Sequence, residues 1–202
     1  MRRIAILLGL LLVACEAEPP PPGLVIGTFD FDATLERGGG CVLEDMAEVA
    51  QSFAFTAVLS HDPETGTLWL RSGPTEQVGT LEENRFSVRT PAKGSIQREF
   101  SACTVAPGRL CAFKVVEVLE GEILADCPSF RSLQEPSDLP CPERGEDGTL
   151  LWHNCACARG TLEEIVRFEP RGDEVCTCAG RTRTETVASE CRLVYRLEGK
   201  KG

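Results

Sequence analysis

The chain has 202 residues, with 21 basic and 31 acidic side chains and a net charge of −10 at pH 7. This length suits one domain and is enough to bury a sizeable core. The acidic balance argues against a general nucleic-acid-binding protein, because that affinity depends on neutralising phosphates.

The N-terminus has the pattern of an export signal. Two arginines follow Met1, and residues 4–13 form an apolar run. In a helix this run would cover about 15 Å, half of a bilayer's hydrocarbon thickness, so it is too short to span a membrane stably. A charged start, a short apolar run and small residues after it are typical of a secretory signal peptide.

The end of this run carries a more specific motif. Residues 12–15 read Leu-Val-Ala-Cys and resemble the lipobox of bacterial lipoproteins. In that family the cysteine thiol takes a diacylglyceryl group and the chain is cut just before it. The resemblance therefore implies that residues 1–14 are a signal peptide and that Cys15 is lipidated. The next residue is Glu16 rather than the aspartate that often retains such proteins at the inner membrane, so the resemblance implies an exported protein, lipid-anchored to the envelope at the outer membrane.

A proline-rich spacer follows the lipobox. Residues 16–23 contain four prolines, which favour an extended polyproline II conformation. Together with Cys15 this stretch, residues 15–23, is predicted to tether a folded part to the membrane.

Cysteines are numerous for a chain of this length. There are 11, and ten remain if Cys15 carries a lipid. An even number in an exported protein predicts a set of disulfides. The ten candidates are Cys41, Cys103, Cys111, Cys127, Cys141, Cys155, Cys157, Cys176, Cys178 and Cys191. Five bridges can be drawn in hundreds of ways, so the connectivity is not derivable from the sequence.

The clearest secondary-structure signal has period two. Residues 27–35 alternate apolar and polar side chains, with Phe29 and Phe31 on the apolar face, and residues 51–59 repeat the pattern with Phe53 and Phe55. Two half-buried strands that face one core are predicted. Residues 61–66 have turn chemistry, so His61 is expected to be exposed. Further strands are predicted at residues 67–71, 85–90, 111–119, 182–188 and 191–198.

Helix is scarce in this sequence. Residues 42–50 predict two helical turns, and residues 162–168 fit either a strand or a helix. Residues 127–147 hold four prolines and predict a long loop, stapled between Cys127 and Cys141. The fold class is therefore mainly β, an antiparallel sandwich or small barrel stapled by disulfides, with one short helix and a long Pro-rich loop. We expect residues 24–202 to form a single β-rich domain with a Cys-rich C-terminal part from about residue 127 onward.

Two Cys-x-Cys units are the most unusual motif. They are Cys155 with Cys157, preceded by His153, and Cys176 with Cys178. Residues i and i+2 of a strand face the same way, so four thiols and an imidazole could converge on zinc or Cu(I). Disulfides are the competing interpretation, which an oxidising compartment favours.

Motifs for catalysis are missing from the sequence. No serine-hydrolase elbow, zinc-protease helix, phosphate-binding loop, dinucleotide fingerprint or Cys-x-x-Cys unit is present. Asp30 and Asp32 share the polar face of a predicted strand and are expected to be solvated. A non-enzymatic protein without a cofactor is therefore expected.

Three functions remain open at this point. The first is a membrane-anchored envelope lipoprotein that acts as a non-enzymatic binding or structural module, with an envelope protein as its partner. The second is a β-barrel that binds a small apolar ligand in a cavity lined by Phe29, Phe31, Phe53, Phe55 and Trp69. The third is metal binding or thiol chemistry at His153 and the Cys-x-Cys pairs.

Overall fold

A computed structural model describes residues 20–36, 41–90, 96–127, 140–182, 184–187 and 190–202. The predicted signal peptide, the lipidation candidate Cys15 and residues 16–19 of the tether lie outside the described residues, as do residues 128–139 of the predicted loop. Within the described ranges no helix is long and apolar enough to cross a membrane.

Strand is the predominant secondary structure of the described chain. In order the strands are β1 (Leu24–Glu36), β2 (Ser52–Asp62), β3 (Thr67–Ser72), β4 (Thr75–Glu82), β5 (Arg85–Arg89), β6 (Ile96–Arg98), β7 (Cys103–Ala106), β8 (Arg109–Leu110), β9 (Phe113–Leu124), β10 (Glu143–Arg144), β11 (Leu150–Leu151), β12 (Cys157–Phe168), β13 (Cys176–Ala179), β14 (Thr184–Val187) and β15 (Glu190–Lys201). One short 3-10 helix (Val42–Asp45) follows β1.

Eight of these strands close into an antiparallel barrel. Strands β1, β2, β3, β4, β5, β9, β12 and β15 pair in this order, and β15 pairs back with β1. Each barrel strand therefore lies beside the barrel strands that precede and follow it in the chain. The mainly β prediction is confirmed, and of its two architectures the structure is the barrel.

Alternation of apolar and polar residues sets which side chains enter the barrel. In β1, Phe29, Phe31 and Ala33 are fully buried, whereas Asp30 and Asp32 between them are exposed. Strand β15 follows the same rule, with Leu193, Tyr195 and Leu197 buried. The predicted period-two strands therefore form with the predicted face inward.

Two glycines let aromatic rings occupy the barrel centre. Gly121 of β9 lies opposite Phe86, and Gly199 of β15 lies opposite Phe31. A Cβ atom on either glycine would lie 2.6 Å from the facing ring. The two glycines, which have no side chain, therefore leave room for the rings of Phe31 and Phe86, and these rings fill the middle of the barrel.

A second, four-stranded sheet packs beside the barrel. Its strand order is β14, β13, β7 and β8. The buried core is continuous from the barrel into this sheet, and the 3-10 helix contacts both β13 and β15. Strand β6 continues the line of β5 along β9, since both pair with that strand.

Five disulfides join the ten cysteines in a nested pattern. From the outermost pair inward they are Cys41–Cys191, Cys103–Cys178, Cys111–Cys176, Cys127–Cys157 and Cys141–Cys155. The predicted disulfide set is present. The predicted bridge between Cys127 and Cys141 is wrong, because each of these residues pairs with a cysteine just before or at the start of β12.

Two local predictions need correction, and one open alternative is decided. The helix predicted at residues 42–50 is only the 3-10 turn Val42–Asp45, because the backbone at Met46 is already extended. Residues 162–168 are strand, since they lie between β9 and β15 and pair with both. The described part of the predicted loop contains β10, which pairs with β11.

The barrel carries its own stabilising contacts. Its closure and all five disulfides lie within residues 24–201. The described contacts of the core cluster lie within the same range. Residues 20–202 therefore hold a complete core and can fold without the preceding segment.

Candidate functional site: a cup at one end of the barrel

The two ends of the barrel differ. At the end that we call the closed end, β1 begins at Leu24 and β15 ends at Lys201. At the opposite end, which we call the cup end, β1 finishes at Glu36 and β2 begins at Ser52. Because β1 runs the full height of the barrel, whatever precedes Leu24 enters at the closed end.

Trp152 plugs the closed end. Its indole Nε1 donates a hydrogen bond to His61 Nε2 (2.9 Å), and its carbonyl oxygen accepts one from Lys201 Nζ (2.9 Å). The bridge between Cys141 and Cys155 holds the segment that carries this tryptophan. The end is therefore sealed by side chains that are themselves hydrogen-bonded.

His61 is buried, which corrects the prediction that it is exposed. Only 2% of its surface is accessible, because β2 extends through Asp62 and keeps His61 on the inward face. Burial lowers the pKa of His61 below its usual 6.5, and the charge of Asp62 opposes this shift. The neutral imidazole can therefore accept the Trp152 hydrogen bond.

The cup end holds a cavity of about 500 Å³ inside the barrel. Its apolar wall consists of Phe53, Phe55, Leu70, Leu119, Leu162 and Tyr195. Its polar wall consists of Ser72, Gln77, Arg98, Glu117 and Glu164. Glu48, Val49, Ala50 and Thr75 also line it. Since Glu48, Ala50 and Thr75 are exposed, this side forms the mouth. We call this cavity the cup.

Stacked aromatic rings form the floor of the cup. Phe55 stacks on Phe31 with ring centroids 5.0 Å apart, and Phe53 meets Tyr195 edge to face at 5.2 Å. Of the five residues predicted to line a cavity, Phe53 and Phe55 do so. Phe29 and Phe31 fill the core and do not line the cup. Trp69 alternates with the buried Leu68 and Leu70 and lies on the outer face opposite Val78.

The polar wall centres on two glutamates. Glu117 of β9 and Glu164 of β12 lie directly opposite each other, both on inward positions. Arg98 Nη1 donates to both carboxylate oxygens of Glu164, at 3.2 and 3.0 Å. Gln77 Nε2 lies 3.2 Å from Thr90 Oγ1 and 3.5 Å from Glu117 Oε2. Glu164 is thus matched by a cation, and Glu117 by an uncharged amide.

Sequence reasoning missed both glutamates, although a signal exists. In the strand predicted at residues 111–119, Glu117 falls on the same face as Phe113 and Leu119. Glu164 likewise falls between Leu162 and Val166 in residues 162–168. A carboxylate on the apolar face of a predicted strand is unfavourable to bury without a partner. Such a position therefore indicates either a local loss of stability or a binding site.

The two Cys-x-Cys units do not converge. Cys155 and Cys157 bond to cysteines near the closed end, whereas Cys176 and Cys178 bond to Cys111 and Cys103 in the second sheet. The latter two bridges lie side by side, so the sulfur atoms of Cys103, Cys176 and Cys178 are within 4.8 Å of one another.

His153 does not lie in a metal site built from the Cys-x-Cys units. Its Nε2 lies 3.2 Å from Glu143 Oε2. All four cysteines of the expected thiolate set are in disulfides, so none offers the free thiolate that zinc or Cu(I) prefers.

A larger concavity of about 1030 Å³ lies on the outer face of β9, β12 and β15. Its charged lining includes Arg159 paired with Glu122 and Arg196 paired with Glu198. Glu122 is half-buried and the other three side chains are exposed, so they form the solvated surface of a sheet. Asp30 on the neighbouring strand is similar, since its Oδ1 accepts a hydrogen bond from Thr56 Oγ1 (2.6 Å). The cup, where aromatic and polar side chains converge on the inward face of the barrel, is the better candidate site.

No protein-family model matches the chain, and neither a curated protein nor a solved structure matches it. The description of the molecule therefore rests on its structure: a closed eight-stranded antiparallel barrel that is plugged by Trp152 at one end and holds a cavity at the other.

Proposed function

We propose that this chain is an exported lipoprotein, anchored by a lipid on Cys15 at the outer membrane of a bacterial envelope, whose barrel binds one small ligand in the cup. The ligand has an apolar body. The protein acts by binding and carries no cofactor of its own.

The observation that carries this proposal is the cavity itself. Eight-stranded barrels are just wide enough either to fill with side chains or to hold one small ligand. This barrel does both, since rings fill its centre and about 500 Å³ stays open at the cup end. That volume lies within the range of small-molecule sites, and the cavity combines an apolar wall with a wall of converging polar groups.

Export and anchoring have separate support. The lipobox resemblance of residues 12–15 implies lipidation at Cys15. Five disulfides suit an oxidising compartment. Because Leu24 enters at the closed end, a lipid attached before it would hold the mouth of the cup on the side away from the anchor.

The cup can be tested with a dye. Residues 20–202 are produced as a secreted, disulfide-bonded protein and titrated with N-phenylnaphthylamine, an uncharged dye whose fluorescence rises in apolar surroundings. We expect saturable binding of one dye per chain. Leu162→Trp, which fills the cup, should weaken it by about tenfold or more, because the dye and the indole would compete for one space.

Thr161→Trp is the matched control, because it adds the same ring to the next, outward-facing position of β12. It should bind the dye like the unchanged protein. No saturable binding, or equal binding by the two tryptophan variants, would contradict a ligand site in the cup.

A further inference from the structure

The cup has an excess of negative charge. Among the described residues that line it, Glu48, Glu117 and Glu164 are acidic and only Arg98 is basic. Glu48 lies at the mouth, where its carboxylate accepts hydrogen bonds from Ser101 that lower its pKa. Deeper inside, two carboxylates face one guanidinium.

The unmatched charge is on Glu117. Arg98 is committed to Glu164, whose side chain is 7% exposed. Among the described residues Glu117 has no cationic partner, and its contact with Gln77 is at the 3.5 Å limit of a hydrogen bond. Like charges directly opposite on neighbouring strands repel each other, so a second cation beside Glu117 would be favourable.

Tyr195 supplies a second, independent observation. It is 2% exposed and lines the cup, yet its hydroxyl has no hydrogen-bond partner among the described residues. Burial, reinforced by the charge of Glu164, raises the pKa of Tyr195 to about 12, so the hydroxyl stays neutral and can accept or donate a hydrogen bond. The hydroxyl retains some accessible surface at the cup, so a ligand there can form a hydrogen bond with it.

Aromatic rings surround these polar groups. Phe53 contacts both Phe55 and Tyr195, and all three rings line the cup. Aromatic faces attract cations, most strongly where water is excluded. Carboxylate, hydroxyl and ring faces together are the environment that an ammonium group prefers, and they disfavour a carboxylate or phosphate.

From this arrangement we infer that the ligand of the cup is an organic amine, whose ammonium group lies between Glu117 and Tyr195 and whose apolar body rests on Phe53 and Phe55. This inference rests on the proposed function, since it names the chemical class of the ligand for the same cavity. The ammonium supplies the second positive charge that the two glutamates lack.

Three probes with one carbon skeleton test the inference. Phenylpropylamine, phenylpropanol and phenylpropanoate are titrated calorimetrically into secreted residues 20–202. We expect the amine to bind at least tenfold more tightly than the alcohol, and the carboxylate not to bind. Added salt should weaken the amine alone, because its advantage is electrostatic.

Glu117→Gln removes the unmatched charge while it keeps the size of the side chain. It should weaken the amine about tenfold and leave the alcohol unchanged. Glu120→Gln is the matched control, since this residue lies on the same strand and is exposed. Thermal unfolding checks that both variants fold.

The outcomes separate the two proposals. If the alcohol binds as tightly as the amine, or if the two glutamine variants behave alike, the amine inference is overturned and the ligand-binding function stands. If none of the three probes binds up to millimolar concentration and the dye also fails to bind, both are overturned.

Discussion

At the residue scale, the contact between His61 and Trp152 shows how a polar pair can seal a barrel. The imidazole accepts the indole hydrogen bond only when Nε2 carries no proton. Burial disfavours the imidazolium form, which is why the pKa of His61 lies below its usual value. The plug is therefore most stable when the histidine is neutral.

This pair predicts a pH dependence of stability. The folded-state pKa of His61 is lower than the unfolded value near 6.5, so the unfolded chain binds the proton first as the pH falls. The contribution of His61 is complete above that value and is lost as the pH drops towards the folded-state pKa. We expect the Tm of residues 20–202 to fall between about pH 7.5 and about pH 5.5.

His61→Gln should remove most of this slope, because an amide oxygen accepts the same hydrogen bond and does not titrate. His153→Gln, which changes the exposed histidine, should keep it. A slope that persists unchanged in His61→Gln would show that another group is responsible.

The same residues show what a sequence can reveal about a site. Phe53 and Phe55 were predicted to line a cavity because period two places them on one face. Trp69 was predicted wrongly. Which side chains of β3 face into the barrel depends on how β3 pairs with β2, and the local sequence pattern does not determine that pairing. Glu117 and Arg98 are 19 positions apart and meet around Glu164 only because β6, β9 and β12 adjoin.

At the element scale, close approach between strands decides which positions accept a side chain. A Cβ atom on Gly121 would lie 2.5 Å from the Arg159 carbonyl oxygen and 2.6 Å from the Phe86 ring. The carbonyl belongs to the backbone of β12 and cannot rotate away. Any side chain at this position must therefore push two barrel strands apart.

Gly121→Ala is expected to lower the free energy of unfolding by about 2 kcal/mol or more, as overpacking of a filled core does. Glu120→Ala, at the neighbouring exposed position of β9, should change it by about 0.5 kcal/mol or less. Urea unfolding of the two variants measures the difference. Equal stabilities would contradict the close approach of β9 and β12.

Element prediction also succeeded for β3, β5, β9 and β14, and it was clearest where one strand face is uniformly apolar. Strands β1, β2 and β15 show this pattern. Strand β4 went unpredicted because its inward positions are Gln77, Gly79 and Leu81, of which only the last is a large apolar residue. The choice between barrel and sandwich depends on the pairing of β1 with β15, which lie at opposite ends of the folded sequence.

At the scale of the whole molecule, the anchor and the disulfides can be tested together. The intact mass of the protein from its native membrane is measured with thiol alkylation, before and after reduction. We expect an acylated chain that begins at Cys15, with ten cysteines alkylated only after reduction. An unacylated chain would contradict the anchor. Thiols that are alkylated before reduction would contradict the disulfides, with two free thiols for each bridge that is absent.

The nested bridges also constrain the order in which the chain can mature. Only the bridge Cys141–Cys155 joins two cysteines that are successive in the sequence. The bridge of Cys41 requires Cys191, the last cysteine of the chain. A chain that crosses a membrane from its N-terminus exposes the first members of four bridges long before their partners arrive. Oxidation of successive thiols on arrival would create bonds that thiol–disulfide exchange must later undo. If the chain is exported as proposed, we expect its maturation to need isomerisation as well as oxidation, and the bridge to β15 to become possible only when the last cysteine has arrived.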